Sequence, residues 1–286
     1  MSLLSLLFAL AVERSMSSKV WQFSFYFQEF VKVVKQSKLI KTPVDNIISA
    51  ALLVVIPAFA VFLAALFVQG SIFELLLSCV VLLICIGCKF TRSAYKGYLQ
   101  AAFRGELTTC DTHYQQLIAE KNLPDIGLGQ ALVWLNFRYY IAIMILFVLF
   151  GLPAVVFYRF LIAVVDYQAS EDETVDGIAQ QQLAKILFWL EWPMVRLVSF
   201  CYMLVGNFSK ALSVWLETCF DFVEQPFMVL NKVAKQSEDF QVDENDCTAE
   251  PCLLVRLAKR SLMLLLAIIG FNGCWSGVSI DNLSAH

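Results

Sequence analysis

The chain has 286 residues, 59% hydrophobic and 14% aromatic with 24 Phe, and a mean hydropathy of +0.69, an apolar share above that of an ordinary soluble domain. A net charge of -3 and a pI near 5.5 give no basic field, and no basic run is interleaved with stacking aromatics, so nucleic acid is excluded as a partner. The expected class is an all-α integral membrane protein with four or five membrane-embedded helical segments plus amphipathic interfacial and cytoplasmic helices, and its surroundings are the lipid bilayer.

Residues 1–44 hold two short helices. MSLLSLLFALAVERS contains an apolar run of about eleven residues, below the ~20 needed to span. No positive residue precedes the run, and Glu13-Arg14 stands where a cleavage site would be, so the expectation is a retained, buried or interfacial helix rather than a signal peptide. From Lys19 to Gln36, Trp21, Phe23, Phe27, Phe30, Val31 and Val34 recur near helical spacing, as in a helix lying in the interface. Lys38 and Lys41 extend a basic patch there.

Residues 45–88 predict a transmembrane hairpin. Ile47 to Gln69 is uncharged, with Pro57 inside, and Gly70-Ser71 turns the chain into the apolar limb Ile72 to Cys88. The turn carries no Lys or Arg while both flanks do, which places it outside and the N-terminus in the cytoplasm. Residues 89–130 read as a cytoplasmic helical stretch broken near Leu123-Pro124-Asp125-Ile126-Gly127.

Residues 131–167 are too long for one upright span, and Gly151-Leu152-Pro153 either kinks one helix or turns a re-entrant hairpin. Residues 168–255 read as a membrane-associated helical region with acidic connections at Ala169 to Asp176 and Glu238 to Glu250. Its apolar stretches are Ile178 to Leu190, Val195 to Val205 and Ala211 to Val223, and its basic count favours the cytoplasm. In residues 256–286, Ser261 to Ile280 makes a last span followed by a short tail.

Of nine cysteines, Cys79, Cys85 and Cys88 lie in an apolar run and the others are scattered without paired spacing; Cys85-x-x-Cys88 lacks the strand-turn-helix setting of a redox motif, so they read as mostly free, buried thiols. With His113 and His286 as the only histidines, no metal site and no cofactor are expected. GxSxG, HExxH and GxGxxG are absent.

The functional lead is polarity inside the apolar region. Asn136, Arg138, Arg159 and Asp166 interrupt the stretch Ala131 to Tyr167, and ionisable groups in a membrane face protein, a wet cavity or the headgroups. For Arg159 the expectation is headgroup snorkelling. Glu191-Trp192-Pro193-Met194-Val195-Arg196 places an acid and an arginine on either side of a proline expected to end one helix and start the next. Gly206-Asn207-Phe208-Ser209-Lys210 lacks P-loop spacing and reads as a helix cap.

Several blocks together resemble the AmpE family of inner-membrane proteins associated with β-lactamase induction in Gram-negative bacteria, a distant relative of the CobD/CbiB cobalamin-biosynthesis proteins. They are Glu13-Arg14, Trp134-Leu135-Asn136-Phe137-Arg138-Tyr139, Glu191-Trp192 through Arg196-Leu197, and Gly206 with Lys210-Ala211-Leu212 and Trp215. Similar proteins place Pro two residues before the Arg, whereas Pro193 lies three before Arg196. The resemblance implies a multi-pass regulatory protein of the bacterial inner membrane, linked with peptidoglycan recycling and with the muropeptide amidase its family is paired with.

Taken with the intramembrane polarity, it implies a non-enzymatic signalling component that binds an anionic ligand, muropeptide-like or phosphorylated, or an anionic partner. The expected cavity is lined by Glu13, Arg14, Asn136, Arg138, Glu191 and Arg196. The alternative is a membrane-bound ligase- or transferase-like enzyme related to the cobalamin amide synthase, with Arg196 and Arg138 on a phosphate and Glu191 or Asp176 as base. The paired-Asp and Pro-Asn-Ala-Gly-like segments of those synthases are not found here.

Overall fold

The computed structural model describes residues 2–15, 21–36, 47–70, 72–87, 89–171, 178–239 and 248–283. Those residues form thirteen α-helices and a π-helical turn, with no strand among them. Lys38, Lys41, Cys88, Asp176 and most of both acidic connections lie outside the described residues.

The N-terminal apolar run forms α1 (Ser2–Ser15), which buries Leu6 and Ala9 and lies along α4 (Ile72–Cys85). The interfacial periodicity forms α2 (Phe23–Gln36), whose Phe23, Phe27 and Val31 are buried while Phe25, Tyr26 and Val33 face outward. Phe160 of α9 (Leu152–Glu171) meets Phe23, Phe27 and Phe30 at ring separations of 5.0, 6.0 and 5.5 Å, which fixes α2 across α9.

Among the described residues three helices are long and apolar enough to cross a membrane: Ala50–Val68 within α3 (Ile47–Val68), Leu128–Phe150, and Gln180–Val205 within α10 (Ile178–Val205). A fourth arises if α4 and α5 (Lys89–Phe103) count as one bent span. The hydrophobic effect does not drive burial in lipid, so apolar exposure is normal on such helices, and Phe59, Phe62 and Phe67 of α3 are exposed. The long C-terminal helix α13 (Ala249–Leu283) contains Ser261 to Ile280, and its side chains are described up to Phe271.

The region 131–167 reverses at Gly151. Its first limb is α7 (Leu128–Asn136), the π-helical turn Phe137–Ile141 and α8 (Ala142–Phe150); its second is α9. Gly151 takes φ +77, open to glycine at little cost. Arg159 of the second limb comes back over the Tyr139 ring of the first at 4.5 Å, which a kinked single helix forbids. The backbone therefore turns back at Gly151 and does not continue as one helix.

α6 (Leu107–Lys121) follows α5 and lies along it, and the chain then crosses the loop at Leu123 to Gly127 to reach α7. Tyr114 ties that loop, donating to Asp125 Oδ1 at 2.6 Å and accepting from the Gly127 amide at 2.6 Å.

One expectation is corrected. Pro193 does not end a helix: α10 runs unbroken through it for 28 residues. A proline inside a helix costs about 3 kcal/mol, and α10 is packed by α9, α12 (Pro226–Ser237) and α13, contacts that offset the missing bond. The stretches Ile178 to Leu190 and Val195 to Val205 are thus one helix of spanning length. α11 (Phe208–Cys219) starts as expected, with Asn207 Oδ1 capping the Lys210 amide at 3.4 Å.

Candidate functional site

The π-helical turn organises the polar interior. An i→i−5 bond from the Ala142 amide to the Phe137 carbonyl widens the helix there, and such bulges recur at functional sites. Three successive residues then reach three different neighbours: Arg138 meets α10, Tyr139 meets α9 and the α4–α5 junction, and Tyr140 meets α1.

Arg138 Nε donates to Glu191 Oε1 at 2.7 Å and Nη2 to Oε2 at 3.4 Å. Tyr158 donates to the same Oε1 at 3.1 Å, and the guanidinium lies 5.0 Å from the Trp134 ring. Glu191 is 3% exposed. This is a two-pronged arginine–carboxylate pair between two span-length helices, where removing one partner leaves an uncompensated charge.

A second contact joins the end of α1 to α5, the α4–α5 junction and the π-helical turn. Glu13 receives Arg92 Nη2 at 2.6 Å and Nη1 at 3.2 Å, and the Tyr140 hydroxyl at 3.3 Å. The Gly87 amide donates to the Tyr139 carbonyl at 3.0 Å. Gly87 adopts φ +85, and a Cβ there would collide with the Glu13 carboxylate.

Arg196 is 6% exposed and reaches backbone: its Nη2 bonds the Asp221 carbonyl at 2.5 Å and the Thr218 carbonyl at 3.4 Å, beneath Trp192 at 4.6 Å. Trp192 Nε1 shares the Asp221 carbonyl at 3.2 Å and stacks on Phe222 at 4.7 Å. Asp221 is held by its own turn: the amides of Val223 and Glu224 donate to Oδ1 at 2.8 and 3.2 Å, which lowers its pKa below the usual carboxylate value.

Of the six expected residues, Arg138 and Glu191 meet, Glu13 lies across the π-helical turn from them, and Arg196 binds a separate turn one helical step further along α10. Asn136 keeps a buried Oδ1 with no hydrogen-bond partner among the described residues. Arg14 belongs to α1, and its side chain is outside the described residues. Tyr140, Tyr158 and Arg92 join the network without having been singled out in sequence. Their separations from Glu13 and Glu191, 127, 33 and 79 residues, carry no local signal.

A cavity of about 620 Å³ opens beside Glu13 and Tyr139, lined also by Phe23, Lys89, Lys121, Arg159 and Asp166. Arg159 is 7% exposed, a buried position and not a headgroup one. Its guanidinium sits 4.6 Å from the Phe23 ring and 4.5 Å from Tyr139, contacts worth about 0.5–2 kcal/mol each against a desolvation cost of several kcal/mol for the ion. No group of three His, Cys, Asp or Glu suited to a metal occurs among the described residues. The cysteines described as free there are Cys79, Cys85, Cys110, Cys201, Cys219 and Cys252.

Comparison with known proteins adds the family. The family model described as "Regulatory signalling modulator protein AmpE" matches residues 1–277. "Protein AmpE" of Shigella flexneri is 28% identical over 286 aligned positions, covering 94% of this chain and 96% of that protein. No solved structure matches.

Proposed function

Since the chain belongs to the AmpE family of regulatory signalling modulators, we propose that this regulatory membrane protein serves in the bacterial inner membrane, in the response that links peptidoglycan recycling to β-lactamase induction. It does so by binding an anionic ligand, muropeptide-like or phosphorylated, or the anionic group of a partner. A functional link with the muropeptide amidase belongs to the same reading.

The observation that carries it is the Arg138–Glu191 pair with Tyr158, buried between helices of spanning length. Ionisable groups at such depth are expensive and serve function by default. An incoming carboxylate or phosphate competes with Glu191 for the Arg138 fork. Exchange releases Glu191 from α7–α8, and the same π-helical turn carries the change to Glu13 and Arg92 through Tyr140. The pair is a two-state contact that a ligand biases by its differential affinity.

The test is antibiotic-induced β-lactamase expression in cells lacking the native copy, complemented with Arg138→Ala, Arg138→Lys or Glu191→Gln at matched membrane abundance. The expected result is loss of regulated induction in Arg138→Ala and partial function in Arg138→Lys. Glu191→Gln, which weakens the internal competitor, shifts induction to lower antibiotic. Wild-type induction in all three at normal abundance overturns the reading.

A further inference from the structure

The cavity beside the π-helical turn holds a cation that the Arg138–Glu191 contact does not involve. Among the described residues, Arg159 makes no ion pair and no hydrogen bond, and its Nε is buried without a partner. Aromatic rings from two elements, Phe23 of α2 and Tyr139 of the π-helical turn, meet the guanidinium carbon. What they leave available is the N–H fork, in a side chain more than nine-tenths buried that lines the cavity.

We propose that this cavity is a binding site for a phosphoryl group, seated on the Arg159 fork and supplied by a membrane phospholipid headgroup or by a soluble phosphate ester. A planar fork pairs a phosphate through two parallel bonds, and a buried guanidinium with no carboxylate in direct contact among the described residues gains most from one. Arg92 is already bonded twice to Glu13, so among the arginines of the cavity Arg159 is the anion seat. Lys89 and Lys121 add positive charge to the lining.

Two features define the rest of the ligand. Asp166 lies seven residues after Arg159 on α9, two turns along the same face, and Glu120 stands on α6; both line the cavity. They disfavour a second negative charge far from Arg159 and suit a cationic or hydroxylated group beyond the phosphate. Phe27, Ile84, Ile162 and Ala163 form an apolar wall, with α2 lying over α9. The volume, about 620 Å³, falls in the range of small-ligand sites.

The site is distinct from Arg138–Glu191, and its test reads binding, not induction, so either idea can fail alone. The full chain is purified in dodecylmaltoside, stripped of lipid and titrated with inorganic phosphate by calorimetry. In parallel it is reconstituted with dioleoylphosphatidylglycerol or with uncharged dioleoylglycerol, and retained lipid is counted by native mass spectrometry. Variants are Arg159→Gln, Arg159→Lys and the exposed control Lys259→Gln. The expected result is saturable binding of one or both phosphate-bearing probes, weakened at least tenfold in Arg159→Gln, less in Arg159→Lys, and unchanged in Lys259→Gln. Inorganic phosphate bound alone identifies a soluble ester; phosphatidylglycerol retained alone identifies the headgroup. Wild-type protein that takes up neither probe overturns the proposal whatever the variants do. So does equal binding by wild type and a folded Arg159→Lys and Arg159→Gln pair, or retention of dioleoylglycerol equal to that of phosphatidylglycerol.

Discussion

Glu191 accepts from two donors on different helices, Arg138 and Tyr158, so removing either end of the ion pair strands a charge among apolar neighbours. Arg138→Ala and Glu191→Ala should each lower stability by about 3–5 kcal/mol, and the double variant should lose clearly less than the sum. Unfolding in mixed micelles, read by helical signal, measures the cycle; strict additivity would mean the pair is not coupled. Tyr158→Phe removes one hydrogen bond and should cost only about 1 kcal/mol. At the Asp221 turn the pH dependence has a definite sign. Its carboxyl pKa is lowered by the Val223 and Glu224 amides, so its contribution is present above the unfolded value and is lost as pH falls through the lower folded value. Thermal unfolding followed from pH 6 down to acid should therefore fall less steeply in Asp221→Asn than in the native chain. The Asn variant keeps the carbonyl that Arg196 and Trp192 share.

The junction between α4 and α5 depends on Gly87, where a left-handed backbone and the nearby Glu13 carboxylate both exclude a side chain. Gly87→Ala should cost more than the ~1 kcal/mol of a strained glycine position alone, because the new Cβ also displaces Glu13 from Arg92. Combining it with Glu13→Ala removes the collision and should recover part of the loss; thermal unfolding of the single and double variants decides. At this scale the sequence was readable wherever apolar length is the signal. α3 and the limbs on either side of Gly151 are runs that only a membrane or a core can accept. It was unreadable where tertiary contacts choose between local options. Pro193 reads as a helix end because its ring removes a hydrogen bond, yet packing by α9, α12 and α13 carries α10 across it. The π-helical turn has no sequence code of its own, and its register follows from Glu191, Glu13 and Gly87, which lie far away in the chain. Arg159 reads as an interfacial residue from its position in α9, and only the return of that helix over Tyr139 buries it.

At the scale of the whole molecule, the basic residues that line the two cavities all line one of them. A pocket of about 300 Å³ brings Gln69 and Glu74, beside the first turn, together with Phe150, Gly151 and Pro153 of the second, so both turns lie at one end. Neither carries Lys or Arg. The other cavity gathers Lys89 and Arg92 of α5, Lys121 of α6 and Arg159 of α9 beside Ile86 and Gly87, at the far end of α4 from the first turn. Short basic loops stay in the cytoplasm, from which we propose an orientation with Gly70 and Gly151 outward and α5, α6 and the Arg159 cavity inward. That proposal puts the residues after α9 back in the cytoplasm, where their basic count also favours them. Single cysteines placed at Gln69 and Gly151, in a chain whose native cysteines are replaced, should react with a membrane-impermeant maleimide added to intact spheroplasts. Cysteines at Arg104 and Glu120 should react only after the membrane is opened. Labelling of Gln69 without Gly151 would separate the two turns and return residues 131–167 to a single crossing. Labelling of Arg104 from outside would invert the orientation, and with it the side from which a ligand reaches Arg159.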